Sequence, residues 1–258
     1  MTVIDWHELL AQPQHTHNFC AAAIGVFDGI HIGHQALLHA LQNEHEKRKA
    51  IITFKENPKK ILRPETFSGD ITTLEQKLEY FEEHGIDCAV IIDFSKNFST
   101  IPGEVFVNDL VTKAHITKII IGWDFTCGHN LDTPSREVAR LARSLGADVA
   151  IIPPVIFHGE VASSTKLRNA IREGNIQYAV AMLGHPYNMD VRSFKFLPEQ
   201  QMLEAGNTAI VMPESSQYSA VLKLQKYEYH DTCTFAQGTI QWHSVKLPEP
   251  PRFIELIP

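Results

Sequence analysis

Up to about residue 187, short runs of apolar, often branched residues alternate with segments of helical periodicity. That alternation constrains the fold more than any other feature of the chain. The apolar runs are residues 21–26, 50–54, 89–93, 118–121 and 148–152, and the helical patterns begin after Gly33 and cover 74–83, 102–113 and 135–145. Strands apolar along their whole length are covered on both faces. Strand–helix alternation predicts an α/β fold with a parallel sheet and right-handed crossovers. Ligands on such sheets bind beyond the carboxyl ends of the strands. GVFDGIH, TFKENP, GWDF and PPVIFHGE each follow a predicted strand, so all four segments can reach one crevice.

The first of these carries the most chemistry. Residues 25–35 read GVFDGIHIGHQ, between an apolar run that starts at Cys20 and a helix pattern, ALLHALQNEHEK, with Leu37, Leu38 and Leu41 on one face and charges on the other. Asp28-Gly29 supplies the turn. His31 and His34 then fall where the helix begins, three residues apart on one side of its first turn. The first N–H groups of a helix lack internal partners and carry partial positive charge, so they attract phosphate. Two imidazoles there can donate to phosphate oxygens as charge grows in a transition state. Gly33 carries no side chain to hold a phosphate away. A His pair at a helix start can equally be surface polarity.

Residues 161–175, VASSTKLRNAIREGN, form a second such segment. Ser163, Ser164 or Thr165 can cap a helix whose buried stripe is Leu167, Ala170 and Ile171 and whose stop is Gly174. Arg168 follows Thr165 by three and Ser164 by four, so these can share a face. Hydroxyls, a helix N-terminus and a guanidinium together make a polyphosphate clamp. Lys166 adds a further cation. An ordinary capped helix with surface cations has the same pattern.

Composition bounds the rest. The 258 residues are 44% hydrophobic, enough for one large or two small domains with a proper core. A net charge of −7 argues against an extended nucleic-acid surface. Cys20, Cys88, Cys127 and Cys233 are scattered without metal-ligand spacing, which predicts buried reduced thiols and neither structural zinc nor disulfides. The N-terminus is too polar for a signal peptide and no apolar run is long enough to span a bilayer, so a cytoplasmic protein is expected. After Met189 helical patterns vanish. TAIVM, SAVLKLQKYEYH and TCTFAQGTIQWHSV predict strands of a small β module.

The segment GVFDGIHIGH resembles the His-x-Gly-His signature of the nucleotidyltransferase superfamily in its prokaryotic FAD synthetase form, the adenylyltransferase half of bifunctional riboflavin kinase/FAD synthetases. SSTKLR is similar to that family's Ser-Ser-Thr-(Arg/Lys)-Ile-Arg, IIIGWDFTCG to its Val-Gly-x-(Asp/Asn)-Phe-x-Phe-Gly, and TFKENP to its Thr-Phe-x-Pro-His-Pro. NFSTIPGEVFVNDLV and AMLGHPY are weaker echoes, and the match spans about residues 18–188. The resemblance implies a Rossmann-like nucleotidyltransferase sheet with helices on both faces over 1–188. It also implies that ATP, carrying Mg²⁺ with no direct protein ligand, adenylylates FMN to FAD. Catalysis would fall to His31, His34 and Arg168, the last holding the leaving pyrophosphate. Nucleotide binding would fall to Gly25, Phe27, Gly33, Asp124, Ser163, Ser164, Thr165 and Lys166, and flavin binding to Phe54, Asn57, Pro58, Phe125 and Cys127. Trp123 and Phe125 are expected as core or pocket wall.

Three departures stand out. Asn57 replaces the family's His, and Cys127 stands where a Phe is usual. Residues 189–258 carry no Gly-Phe-Pro-Thr-Ala-Asn motif, so they are expected to be a degenerate or truncated module without riboflavin kinase activity. The altered acceptor side leaves two alternatives open. One is adenylylation of another phosphate acceptor, such as phosphopantetheine or a nicotinate nucleotide. The other is a non-catalytic nucleotide- or flavin-binding protein. A catalytic Cys127 lacks a paired base in the sequence.

Overall fold

A computed structural model describes residues 1–11, 21–44, 48–94, 96–206 and 209–258. Cys20 and the charged 45–47 stretch lie outside them. The chain divides into two compact units. The first comprises residues 1–27, 33–67 and 77–156, and the second comprises 28–32, 68–76 and 157–258. Each is described by itself.

The first unit is built on six parallel strands: β1 (Thr2–Asp5), β2 (Ala21–Ile24), β3 (Lys49–Phe54), β4 (Cys88–Ile92), β5 (Lys118–Gly122) and β6 (Asp148–Ile152), in the order β1-β4-β3-β2-β5-β6. The sequence pattern predicts five of them. The first, β2, ends at Ile24 rather than Val26, and β1 escapes the pattern because it lies on the sheet edge with only Ile4 of its four residues buried. The central strands are legible for the reason given above: β2 and β4 are buried at every position. Chain order reverses between β2 and β5, the switch point at which open α/β sheets leave room for a ligand.

Helices α1 (Trp6–Ala11), α2 (Ile32–Gln42), α3 (Pro58–Leu62), α4 (Leu74–Glu83), α5 (Lys96–Ser99), α6 (Gly103–Asn108) and α7 (Ser135–Ser144) connect the strands. In α2, Leu37, Leu38 and Leu41 are buried, as their spacing predicts. The single helix expected over 102–113 instead passes at Asn108 into a wider π turn, Asp109–Lys113. The apolar core of this unit gathers Ile4, Trp6, Ile24, Ile52, Val90, Phe106, Ile119, Ile121 and Val138.

The second unit contains α8 (Ser164–Arg172), α9 (Ile176–Leu183) and seven antiparallel strands. These are β7 (Tyr187–Asp190), β8 (Lys195–Leu197), β9 (Met202–Glu204), β10 (Ser216–Lys223), β11 (Glu228–Ala236), β12 (Thr239–Trp242) and β13 (Phe253–Leu256), in the order β7-β13-β10-β11-β12-β9-β8. One core joins the two helices to the sheet: Leu167, Ile171, Ala179, Met182, Leu203, Leu222, Phe235, Trp242 and Ile254 belong to it. The packing units therefore place 157–188 with the C-terminal sheet, whereas the sequence division at 188/189 separates them. One strand expectation needs correction: TAIVM forms no strand in its described part, where Ile210 makes only an isolated bridge to Asp70, whereas SAVLKLQKYEYH and TCTFAQGTIQWHSV each span a hairpin of two strands.

Candidate active site

In the first unit, β2 and β3 are parallel and end beside one another. The carbonyls at and just beyond their ends gather on two polar side chains. Thr53 Oγ1 donates to the Val26 carbonyl at 3.2 Å, and Lys77 Nζ donates to the carbonyls of Val26 at 3.2 Å and Phe54 at 3.3 Å. Lys77 is only 5% exposed, so an ammonium sits within protein at the strand ends. Sequence reading missed it. The available signal is a lysine on the α4 stripe four residues before the buried Phe81.

Phe27 is expected at the nucleotide, but its side chain is fully buried. Its ring packs edge-on against Phe81 at 5.4 Å and beside the His34 ring at 5.4 Å. An aromatic of this size at a strand end fills the core, and here it backs the His34 imidazole. Gly25 lies close against the Phe27 ring, since a Cβ there would stand 3.2 Å from that side chain. Gly33 and His34 occupy the first turn of α2.

On the expected flavin side, Phe54 stacks edge-on to Phe94 at 5.7 Å, and both Phe54 and Phe125 are partly buried against the core. Asn57 is 7% exposed and caps α3, accepting from the Lys59 N–H at 3.1 Å, with Pro58 in the first position of that helix. The side chain that stands for the family's histidine thus has a structural task of its own. Trp123 is 49% exposed, so it is neither core nor an enclosed wall. Asp124, just beyond β5, is exposed. Burial, then the nearby Asp132 charge, pushes the half-buried Cys127 thiol up to about 12, which keeps it protonated and non-nucleophilic at neutral pH. Cys88 and Cys233 are buried, as expected for inert thiols.

In the second unit, residues 28–32 carry His31 and meet residues 69–72 and α8. Ser163, of the three candidates, is the N-cap of α8 and accepts from the Lys166 N–H. Ser164 Oγ donates to the Asp28 carbonyl at 2.9 Å. Asp28 Oδ1 accepts from the backbone N–H groups of Ile71 at 2.8 Å and Thr72 at 3.1 Å, while its Oδ2 is paired with Arg168 Nη2. Arg168 also donates from Nε to the Gly69 carbonyl at 2.7 Å and from Nη1 to the Ser164 carbonyl at 3.2 Å. Arg168 and Asp28 are both buried. Expected on a polyphosphate, the guanidinium is instead enclosed among protein acceptors. Thr165 is exposed, and Lys166 reaches Glu160 at 2.9 Å.

The backbone of this loop is unusual. Phe27, Gly29 and Ile30 have φ of 54°, 85° and 40°. For Phe and Ile each such conformation costs on the order of 1–3 kcal/mol and persists only where surroundings enforce it. Gly29 is required twice over, because an added Cβ would also stand 2.7 Å from Leu167 Cδ2. His31 is buried, and that burial lowers its pKa to about 4, so its ring is neutral at pH 7 and keeps one N–H to donate.

Among the described residues no group of three or more His, Cys, Asp or Glu side chains is placed to hold a metal ion, and no helix is long and apolar enough to cross a membrane.

The comparisons with known proteins agree with this architecture. Residues 13–166 match the family model for FAD synthetase. A bifunctional riboflavin kinase/FMN adenylyltransferase of Escherichia coli (strain K12) is 30% identical over 190 residues, which is 72% of this chain and 60% of that protein. The match thus spans less than two thirds of the bifunctional relative. A protein of Listeria monocytogenes named FAD synthetase is 29% identical over 185 residues, 70% of this chain and 74% of its own length. The crystal structure of a protein from Streptococcus pneumoniae titled a macrolide-efflux protein shares the fold, with a TM-score of 0.79 at 19% identity, over 99% of this chain and 89% of the other.

Proposed function

Because the chain belongs to the FAD synthetase family, we propose that it is an FMN adenylyltransferase, joining the adenylyl group of ATP to FMN to give FAD and pyrophosphate. A phosphate oxygen of FMN forms the new bond to the α-phosphorus, and the α–β bond breaks. FMN phosphate is already ionised near neutrality, so the chain need supply only position and charge relief. The observation that carries the reading is the strand–turn–helix around His31 and His34. It sets a neutral buried imidazole just before a helix N-terminus and a second imidazole in the first turn. Both rings donate to α- and β-phosphate oxygens, joined by the positive end of the α2 dipole. Thr165, Lys166 and the N-terminus of α8 (with Ser163 and Ser164 at its start) serve the phosphates in the same way.

Mg²⁺ carried by ATP would supply charge relief at the phosphates, and Asp124 is the carboxylate that would meet it through water or bond a ribose hydroxyl. Phe54, Asn57, Pro58, Phe125 and Cys127 border the flavin. We assign the transfer to residues 1–188 and read 189–258 as a β module without riboflavin kinase activity. The Listeria relative named for the synthetase alone supports this division. We place the reaction in the cytoplasm. A second acceptor in place of FMN is favoured by Asn57 and Cys127, but the Asn57 amide oxygen is engaged in capping α3.

The test is turnover of the purified protein with ATP and Mg²⁺, with FMN or with riboflavin, followed by chromatography of the flavins. FAD from FMN and no FMN from riboflavin is expected. His34→Ala should lower turnover about 10²-fold, the scale of losing one transition-state donor. Bound ATP with no FAD from FMN would overturn the reading.

A further inference from the structure

We infer that Asp28 is a positioning residue that fixes the His31 loop through Arg168, Ser164 and the backbone of residues 71–72, and that Arg168 serves this purpose rather than gripping the leaving pyrophosphate. The inference rests on the FMN adenylyltransferase reading and adds to it a residue that sequence analysis takes as a plain turn.

The argument begins with the loop. Ile30, next to His31, holds a φ of 40°, and Gly29 one of 85°. Such a backbone relaxes unless it is tied from several sides. The ties converge on Asp28. Its carboxylate accepts two backbone N–H groups from Ile71 and Thr72 and pairs with Arg168, and its carbonyl accepts from Ser164. The following residue continues the pattern, since the Gly29 N–H donates to Thr72 Oγ1 at 3.0 Å. Leu167 fills the space that a Gly29 side chain would need. Segment 69–72 and α8 therefore hold the loop from two directions, within one unit.

The same contacts decide what Arg168 can do. Its Nε, Nη1 and Nη2 face Gly69, Ser164 and Asp28, and the residue is 5% exposed. Swinging it onto a polyphosphate would leave the Asp28 carboxylate buried without its counter-charge, which is strongly unfavourable. Tyr187 strengthens the enclosure. It is fully buried, bonds the Val211 carbonyl at 2.6 Å, and has its phenol pushed up by burial first and by the Asp28 charge second. Thr165 is exposed and stays accessible to phosphate.

The experiment uses the full chain and three readouts: the NMR titration of the His31 ring, MgATP and pyrophosphate binding by calorimetry, and FAD formation. Asp28→Asn and Arg168→Met should each raise the His31 midpoint from about 4 toward its ordinary 6.5 as the loop admits water. Each should lower kcat about 10²-fold, as a misplaced donor does, and the double variant should be no worse than either single one. MgATP affinity should stay within about threefold, the signature of a transition-state rather than a binding defect. Thr72→Val removes one tie and leaves the ion pair. It should shift the His31 midpoint in the same direction by less, and it keeps the test readable if the ion-pair variants do not fold. Tenfold weaker pyrophosphate binding in Arg168→Met, or an unmoved His31 midpoint in Thr72→Val, would overturn the inference. The titration and the binding need no flavin, so failure of FMN as acceptor would appear separately, as absent FAD in the unsubstituted protein.

Discussion

At His31 burial sets both the chemistry and a pH dependence. The ring is 5% exposed and its pKa is lowered to about 4 by that burial, against 6.5 in an unfolded chain. In the proposed reaction a neutral ring would donate to phosphate without the electrostatic grip of an imidazolium, which would bind substrate and product phosphates alike and slow release. The folded state refuses a proton that the unfolded state accepts between these two values. Stability from this group is therefore complete above pH 6.5 and lost as pH falls toward 4, by about 3 kcal/mol at most. Urea unfolding across pH 4–7 should show this slope. In His31→Gln it should flatten, and an unchanged slope would mean that other groups carry the acid sensitivity. The motif draws attention to His31, but the neutrality of its ring is not legible there, because burial depends on residues far away in sequence. Asp28 shows the same limit more sharply. Its partners lie 43, 44 and 140 residues along the chain, so sequence offered a turn and the fold made a hub.

Among the elements, α8 was read almost in full. Its cap, its buried Leu167, Ala170 and Ile171 and its end before Gly174 are all present. Local rules suffice there because a cap and a 3.6-residue stripe are short-range features. The strand β1 and the stretch 209–212 show where such rules fail. An edge strand carries little apolar signal, and residues 209–212 are drawn into a core by Val211 without forming a strand. Buried Lys77 likewise breaks the pattern of its helix, since its ammonium is needed for strand-end carbonyls. The cap of α8 can be tested alone. Ser163 Oγ accepts from the Lys166 N–H, and Ser163→Ala should cost about 1 kcal/mol. Ser163→Asp should restore it, as an equally good cap. The check is the thermal midpoint of the three proteins. An alanine variant as stable as the parent would show that α8 is held by packing alone.

For the whole molecule, the sequence division at 188/189 and the packing of the chain make different predictions. Composition changes after Met189, and a reader of sequence places a boundary there. The core does not follow it. Leu167 and Ile171 of α8 and Ala179 and Met182 of α9 belong to the same cluster as Leu203, Leu222, Phe235, Ile240, Ile254 and Leu256. Fully burying one such large side chain contributes about 1.5–3 kcal/mol. Six removed together forfeit about 9–18 kcal/mol, as much as the roughly 5–15 kcal/mol that holds a whole domain. A chain cut after residue 188 should therefore lose the ordered α8, and with it the Asp28 ties that hold the His31 loop. Amide exchange should show α8 unprotected in the shortened chain, with protection surviving in β2–β5, and FAD formation should fall below detection. A shortened chain that kept α8 protected and turned over FMN would mean that the helix is ordered without the C-terminal strands. The C-terminal sheet would then have no part in holding the residues proposed for the phosphates.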